Sequence, residues 1–139
     1  MARTWVYSPH SGGRKVPPHK RQVIRERILR HAEAKYAGKY NRIEVRFRGK
    51  YCYVDAYVEP YVPKYERSPC PNESRAEYIE RLRNSPLHLC RLLYRGDDDA
   101  WSVTFYTYSH EKYEPSVFPD GERTGTPEDA FDVGAMYLR

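Results

Sequence analysis

Residues 46–57, "RFRGKYCYVDAY", contain the side chains with the clearest chemistry in this sequence of 139 residues. Arg guanidinium groups bind phosphate oxygens in pairs and stack on flat rings. Tyr rings offer surfaces on which nucleic-acid bases stack, at about 1–3 kcal/mol per base. Because apolar residues alternate with these polar ones, the segment predicts a sheet with one buried face and one polar face. That polar face is the first candidate for a binding surface.

The candidate nucleic-acid interface combines this polar face with basic residues that precede it in the chain. The predicted partner is RNA or another single strand, because sheet aromatics flanked by cations suit unpaired bases and phosphates. The candidate binding residues are Arg14, Lys15, Arg42, Arg46, Arg48, Lys50, Tyr51, Tyr53 and Tyr57. The alternative is a solvated sheet face on which Arg–Tyr pairs stabilise only the fold, through cation–π contacts and packing of the Arg stems.

Two other functions stay open. The chain has 14 Tyr and 4 Phe, and rings that keep a hydroxyl at the surface also suit a protein partner. A small metal-independent endoribonuclease is the third hypothesis, because Arg stabilises charge on phosphorus while Glu, His or Tyr moves a proton. Its candidate residues are Glu44, Arg46, Arg48, Tyr53 and His110. These residue types are common, and they do not occur at the spacing of a known catalytic motif, so no catalytic residue is assigned. The preferred interpretation is a non-enzymatic binding protein.

Motifs for metals and cofactors are absent from the sequence. His88 and Cys90 fall on one side of a predicted strand, as two zinc ligands would, but no second pair with ligand spacing accompanies them. A structural pair in the core is the preferred interpretation. The sequence contains no glycine-rich phosphate loop and no G-x-S-x-G motif. We therefore expect neither a metal nor a cofactor.

The net charge of +5 is unevenly distributed along the chain. Residues 1–50 contain 14 Lys and Arg and three acidic residues, whereas residues 51–139 contain 10 Lys and Arg and 16 acidic residues. A basic first third predicts an anionic partner at one end of the molecule. The alternative is that the two parts neutralise each other inside one fold.

The predicted elements form one α+β domain over residues 19–139, preceded by a basic arm over residues 1–18 that is rich in Pro and Gly. The elements are a helix over 19–37, a hairpin over 41–58, a helix capped by Ser74, strands over 87–95, 101–108 and 112–118, and a helix capped by Thr126. The expected fold is a sheet of about five mainly antiparallel strands with three helices packed on one face, in the order α-β-β-α-β-β-β-α.

The hairpin has two possible registers, because either keeps the apolar residues on one face. A Gly49-Lys50 turn suits the positive φ that glycine adopts, but it sets Glu44 opposite Asp55. An Arg48-Gly49 turn gives better charge pairs, but it requires a positive φ at Arg48. The first register is slightly favoured.

Cysteine usage and hydropathy bear on the compartment. The sequence has three cysteines, an odd number, and no C-x-x-C motif. These two features predict free thiols and a cytoplasmic protein. No apolar run approaches the roughly 20 residues of a membrane span, and residues 1–7 lack the apolar core of a secretory signal. No membrane partner is expected.

The closing third, "WSVTFYTYSHEKYEPSVFPDGERTGTPEDAFDVGAMYL", runs from a Trp-led strand through a Tyr-Glu-Pro strand to a capped helix. It resembles a short, uncharacterised bacterial domain family of unknown function. A Trp-containing strand, a K-x-x-x-Y-x-P-like strand and a final S/T-x-E-x-A helix recur in that family. "HEKYEP" and "GTPEDAF" carry the resemblance, which implies the fold of the last third and no site.

Overall fold

The computed structural model describes residues 12–138, in which three α-helices and five strands follow one another in the predicted order. They are α1 (Pro18–Tyr36), β1 (Arg42–Arg48), β2 (Tyr51–Tyr57), α2 (Arg75–Arg83), β3 (Leu87–Tyr94), β4 (Trp101–Thr107), β5 (Lys112–Ser116) and α3 (Pro127–Gly134), with a short 3-10 helix (Ala135–Tyr137) after α3. Each strand pairs antiparallel with its chain neighbour, so the sheet order is β1-β2-β3-β4-β5. The predicted α+β fold class is confirmed. None of the helices in residues 12–138 is long and apolar enough to cross a bilayer.

The hydrophobic core lies between one face of the sheet and the helices α1 and α3. Ile24, Ile28 and Ala32 recur every four residues along α1 and are buried, as their spacing predicts. Phe131 on α3 and Trp101 on β4 are fully buried in the same cluster. Because side chains alternate along a strand, most polar residues of β1 to β4 lie on the opposite face of the sheet.

Helix α3 approaches the centre of the sheet closely at Gly134. A Cβ atom on this residue would lie 2.7 Å from the carbonyl oxygen of Leu89 on β3, closer than real side chains come to the backbone. Glycine is therefore required at this position by packing. Leu89 itself is fully buried beneath the helix.

Both later helices begin at the capping residues that the sequence predicts. The Ser74 hydroxyl accepts a hydrogen bond from the Glu77 N–H, and the Glu77 carboxylate accepts one from the Ser74 N–H, both at 3.1 Å. The Thr126 hydroxyl likewise accepts a hydrogen bond from the Asp129 N–H at 3.1 Å, and Pro127 occupies the first helical position. These bonds satisfy N–H groups that the first turn of a helix leaves without a partner.

Helix α2 is tied to the loop that precedes it. The Arg75 guanidinium donates to the backbone carbonyls of Val62, Pro63 and Glu66 at 2.8–3.1 Å. The Arg81 guanidinium pairs with the carboxylate of Glu73 at 2.9 Å. The proline-rich loop and α2 therefore form one unit beyond the ends of β2 and β3.

The predicted basic arm covers residues 1–18, of which residues 1–11 lie outside the described part of the chain. Residues 12–17 lie along the body of the domain. The Arg14 N–H donates to the Tyr94 carbonyl at 2.9 Å, and the Val16 N–H donates to the Gly49 carbonyl at 3.0 Å. The Val16 side chain is fully buried in the core. The exposed Arg14 and Lys15 side chains are thereby held close to the β1–β2 turn.

Cationic residues of α1 meet acidic residues from the second part of the chain. Lys20 Nζ lies 3.0 Å from a carboxylate oxygen of Asp98, in the turn between β3 and β4. The Arg27 guanidinium contacts Asp99 in the same turn and Glu128 on α3, each at 2.7 Å. This portion of the basic first third is therefore neutralised within the fold.

One carboxylate of α3 joins the two helices. Asp132 Oδ1 accepts hydrogen bonds from the His31 ring and the Tyr36 hydroxyl, each at 2.7 Å, and Oδ2 accepts one from Lys35 Nζ at 3.1 Å. Partial burial favours the neutral acid, but these hydrogen bonds outweigh it and lower the pKa of Asp132. Burial, together with the Asp132 carboxylate, raises the pKa of Tyr36 to about 12.

We expect Asp132→Asn to lower the free energy of unfolding at neutral pH, because the amide cannot accept charge-assisted hydrogen bonds. A lowered carboxyl pKa stabilises the fold fully above the pKa of an unfolded Asp, about 3.9, and this contribution is lost as pH falls through the folded value. The difference between wild type and Asp132→Asn should therefore shrink below about pH 4.

Urea unfolding of both proteins at neutral pH and near pH 3 measures this difference. Glu33→Gln, at an exposed position of α1, is the matched control and should behave as wild type. A difference between wild type and Asp132→Asn that is the same at both pH values would contradict the assignment.

Candidate functional site

The β1–β2 hairpin adopts the register in which Gly49 and Lys50 form the turn. Gly49 has a φ of +60°, which glycine adopts at little cost and which Arg48 would have had to approach in the other register. The register favoured by turn chemistry is therefore confirmed. The like-charged pair that it implies, Glu44 opposite Asp55, is also present.

The alternating polar residues lie on the face of the sheet opposite α1 and α3, here called the Arg/Tyr face. Strand register places these side chains on it: Arg42, Glu44, Arg46, Arg48, Tyr51, Tyr53, Asp55, Tyr57, His88, Arg91, Leu93, Ser102, Thr104, Tyr106 and Tyr113. Every candidate binding residue of β1 and β2 is among them. The predicted two-faced hairpin is therefore part of a larger surface that extends across all five strands.

Guanidinium groups stack on phenol rings along the Arg/Tyr face. The Arg42 guanidinium carbon lies 4.1 Å from the centre of the Tyr57 ring. Arg91, from β3, lies 4.4 Å from the ring centre of Tyr51 and 5.0 Å from that of Tyr113. Such contacts contribute about 0.5–2 kcal/mol each, and they hold the rings and the cations in alternation. The same arrangement presents flat surfaces and positive charge side by side.

A buried carboxylate lies at the centre of this face. The Asp55 side chain is only 3% exposed. Its Oδ2 accepts a hydrogen bond from the Arg46 guanidinium at 2.9 Å, and its Oδ1 lies 2.8 Å from Nδ1 of His88. The Glu44 carboxylate forms ion pairs with two cations on the same face. One oxygen lies 3.3 Å from Arg46 Nε, and the other lies 4.0 Å from the Arg42 guanidinium. The like-charged pair is thus resolved by cations on the same face.

A β-bulge in β3 places His88 beside Asp55. Val54 pairs with Cys90, but the next residue of β2, Asp55, pairs with His88, so Leu89 is an extra residue in β3. Without the bulge, Asp55 would face Leu89. The prediction that His88 and Cys90 share one side of the strand is therefore wrong: His88 lies on the Arg/Tyr face, and Cys90 is buried in the core.

The two core thiols are chemically inert. Burial raises the pKa of Cys52 and of Cys90 above that of a free thiol, so neither offers the thiolate that a metal or an electrophile requires. Among residues 12–138, no three His, Cys, Asp or Glu side chains form a group that could hold a metal ion.

Tyrosines surround the His88 ring. Its centre lies 4.8 Å from that of Tyr106 and 6.4 Å from that of Tyr113. The His88 backbone N–H donates to the Tyr108 hydroxyl at 2.7 Å. Burial, followed by the nearby Asp55 carboxylate, raises the pKa of Tyr113, and burial also raises that of Tyr108. These phenols therefore stay protonated near neutral pH.

The β1–β2 turn and residues 12–15 form a basic end of the sheet. Lys50 Nζ donates to the Gly12 carbonyl at 2.9 Å, which brings the exposed Arg14 and Lys15 to the same end as Arg48. Within the described residues, no carboxylate lies in ion-pair range of Arg14, Lys15 or Arg48. This end of the molecule therefore keeps the positive charge that α1 loses to its acidic partners.

One part of the Arg/Tyr face is covered. Leu93, Ser102 and Thr104 are 1–2% exposed. A Cβ atom on Gly13 would lie 2.6 Å from the Leu93 side chain, so the chain passes directly over this residue. The exposed part of the face therefore extends from the basic end along β1 and β2, away from Ser102 and Thr104.

The structure brings together all the candidate binding residues, but it separates one residue from the candidate ribonuclease set. All nine candidate binding residues lie on the Arg/Tyr face or at its basic end. In the candidate ribonuclease set, Glu44, Arg46, Arg48 and Tyr53 share this face, but His110 does not join them. It lies in the β4–β5 turn, where its Nδ1 is 2.6 Å from a carboxylate oxygen of Glu114, whereas the other four residues belong to β1 and β2.

Asp55, His88 and Arg91 were not predicted to be members of one site. Arg91 and His88 come from β3, and nothing in an apolar strand fixes which of its residues lie beside Tyr53. A signal did exist for Asp55, because a lone acid within a half-buried strand requires a cationic partner close by.

A small cavity adjoins the Arg42–Tyr57 pair at the other end of the hairpin. Its volume is about 340 Å³, and the side chains that line it with Arg42 and Tyr57 are those of Asn41, Arg83 and Asn84. The cavity thus combines a stacked ring, two guanidinium groups and two amides.

Comparison with known proteins finds no match among family profiles, curated proteins or solved structures. The resemblance of residues 101–138 to an uncharacterised family therefore stays a prediction.

We expect Asp55→Ala to lower the free energy of unfolding by about 1–3 kcal/mol, because two charge-assisted hydrogen bonds lose their acceptor. The loss should stay below the roughly 3–5 kcal/mol of a fully buried pair, since Arg46 and His88 are partly exposed and regain water. Urea unfolding measures it. Glu44→Ala removes the neighbouring, more exposed carboxylate and should cost no more than about 1 kcal/mol. Equal losses in the two variants would show that Asp55 does not organise the face.

Proposed function

We propose that the protein binds single-stranded nucleic acid, RNA in particular, on the exposed part of the Arg/Tyr face. The observation that supports this proposal is the stacking of three guanidinium groups on Tyr rings of one sheet face, by Arg42, Arg46 and Arg91. Bases stack on such rings, and guanidinium groups bind the phosphates between them. Arg–Tyr pairs also occur on solvated sheet faces that bind nothing. Here the alternation extends beyond the hairpin to a third strand, through Arg91 of β3.

Spacing along β2 suits an extended strand of nucleotides. Residues on one face of a strand recur about every 7 Å, so Tyr51 and Tyr53 offer neighbouring rings, 6.1 Å apart between centres. Tyr57 lies two such steps further along, beside the cavity at the Arg42–Tyr57 pair. The amide nitrogens of Asn41 and Asn84 donate to Glu59 and Glu80, and their amide oxygens supply acceptors for a base edge, which stacking alone does not read.

The distribution of charge also supports a nucleic-acid strand that runs along β2. Arg14, Lys15 and Arg48 extend the face at the basic end, where their charges are available to phosphates. Phosphate contacts release counterions, so affinity should fall steeply as salt rises. Free thiols at all three cysteines favour a reducing compartment, and we propose a cytoplasmic location for this binding.

A protein partner is the second candidate, and two exposed rings favour it. Tyr61 and Tyr65, in the loop before α2, are 89% and 87% exposed. Large rings at that exposure are typical of contact surfaces. This loop lies outside the Arg/Tyr face, so the two candidates are separable by mutation.

We expect Arg48→Gln to weaken binding of a fluorescently labelled single-stranded RNA and to make its salt dependence shallower. Loss of one phosphate contact reduces the slope of log K against log salt by about 0.7 for a single strand. Fluorescence anisotropy over a series of salt concentrations measures both quantities.

Arg30→Gln is the matched control, because Arg30 is exposed on α1, on the other side of the sheet. It should leave the affinity and the slope close to those of wild type. Affinity that does not change with salt, or equal effects of the two variants, would rule out phosphate binding at the basic end.

We expect Tyr57→Leu to weaken RNA binding by about 5- to 150-fold, since one stacked base is worth about 1–3 kcal/mol. Tyr57→Phe keeps the ring and should bind within about twofold of wild type. Tyr61→Leu removes an exposed ring outside the face and should have no effect on RNA. If Tyr57→Leu binds as wild type while Tyr61→Leu abolishes capture of a protein, the second candidate function replaces the first.

A further inference from the structure

Asp55 and His88 form a carboxylate–imidazole pair within the proposed RNA-binding face. Asp55 Oδ1 and His88 Nδ1 are 2.8 Å apart, and Arg46 occupies the other carboxylate oxygen at 2.9 Å. An ionised carboxylate only accepts hydrogen bonds, so Nδ1 carries the proton that it donates to Asp55. The other ring nitrogen, Nε2, is then the basic one in the neutral ring.

Nε2 of His88 is available to a ligand. The described residues offer it no hydrogen bond, and the His88 side chain is 32% exposed. The ring cannot turn freely, because Tyr106 packs on it and its Nδ1 is bound to a buried carboxylate. A basic nitrogen held in one tautomer, on a side chain that belongs to a binding surface, is the arrangement of a general base.

Two guanidinium groups flank the same part of the face. Arg46 pairs with Tyr53 across β1 and β2, and Tyr53 pairs with Arg91 across β2 and β3. This row lies one same-face step, about 7 Å, from the row that contains Asp55 and His88. Arg46 contacts Glu44 as well as Asp55, and Arg91 stacks on Tyr51 and Tyr113. Both side chains are long enough to turn toward a phosphate bound beside His88, since the two rows are only one same-face step apart.

We propose that His88 is the catalytic base of a metal-independent RNA-cleaving site, with Asp55 as its positioning residue and Arg46 and Arg91 as the groups that bind the scissile phosphate. This inference rests on the proposed function, because it requires RNA on the Arg/Tyr face. It also replaces His110, the histidine suggested by the sequence, with a histidine that the bulge brings to the centre of the face.

The reaction is an internal transesterification. Nε2 takes the proton of a ribose 2′-hydroxyl, the 2′-oxygen forms a bond to the adjacent phosphorus, and the bond from phosphorus to the 5′-oxygen breaks. The imidazolium returns the proton, through a water molecule, to the departing 5′-oxygen. The products are a 2′,3′-cyclic phosphate and a 5′-hydroxyl, and no oxidant, reductant or co-reactant is consumed. The guanidinium groups stabilise the charge that develops on the phosphoryl oxygens.

Substrate chemistry follows from this step. DNA lacks the 2′-hydroxyl and therefore the nucleophile, so the site should bind a single DNA strand without cutting it. RNA with 2′-O-methyl groups should likewise be bound and left intact.

The test uses the full chain, a single-stranded RNA of mixed sequence labelled at its 5′ end, and EDTA in the buffer. Wild type should release fragments that end in a 2′,3′-cyclic phosphate, identified by mass spectrometry. His88→Gln should cleave at least about 100-fold more slowly, as expected for loss of a general base, while its RNA affinity stays close to that of wild type. His110→Gln, purified in the same way, should cleave as wild type.

The outcomes separate the two proposals. Failure of the wild-type protein to bind RNA overturns the proposed function, and this inference with it. Binding with no cleavage, equal cleavage by His88→Gln and wild type, or cleavage that EDTA abolishes overturns the inference alone. The experiment with 2′-O-methyl RNA uses the wild-type protein alone. Cleavage of this RNA would exclude attack by the 2′-hydroxyl, even if His88→Gln did not fold.

The positioning role of Asp55 has a spectroscopic test. Ring ¹⁵N chemical shifts of His88 in the neutral form should report a proton on Nδ1 in wild type and a mixture of tautomers in Asp55→Asn. Loss of packing alone would not select a tautomer. A wild-type ring with its proton on Nε2 would overturn the assignment of His88 as the base.

Discussion

Burial of the Asp55 carboxylate is the constraint on which the rest of the polar face depends. A carboxylate with 3% of its side chain exposed requires hydrogen-bonding partners, since the loss of its hydration costs several kcal/mol. The hairpin register brings Arg46 to one oxygen, and the bulge in β3 brings His88 to the other. Turn chemistry at Gly49 and an extra residue in the next strand thus serve one electrostatic requirement.

The distribution of charge follows from which layer each cation belongs to. On α1, Lys20 and Arg27 meet carboxylates from the β3–β4 turn and from α3, so the helix layer is held together by neutralised pairs. On the Arg/Tyr face, four guanidinium groups share two carboxylates within residues 12–138: Arg42, Arg46, Arg48 and Arg91 lie on the same face as Glu44 and Asp55. The part of the basic excess that these pairs do not neutralise lies on the Arg/Tyr face, at its basic end and at exposed positions of α1 such as Arg30. Both explanations of the charge asymmetry apply, each to a different layer.

Local rules predicted the parts of this fold that depend on local interactions. The capping residues Ser74 and Thr126 predicted two helix starts, and the period of two predicted the two faces of the hairpin. The site required more, because His88 meets Asp55 only through a bulge in β3. In the stretch "LHLCRLL", apolar residues occupy both faces, so no pattern reveals where the alternation changes phase. Register between strands that are far apart in the chain is decided by packing and by buried charge.

The position of His88 is fixed from the other side of the sheet. Leu89, the extra residue of the bulge, is fully buried and lies under Gly134 of α3, where no side chain larger than hydrogen fits. Removal of the bulge would turn Leu89 toward Asp55 and take away the backbone that α3 packs against. Because close-packed interiors have few alternative arrangements, the close approach of Gly134 to the backbone of Leu89 holds the bulge in place. The imidazole is therefore held beside the carboxylate by the rigid core and does not depend on a surface loop.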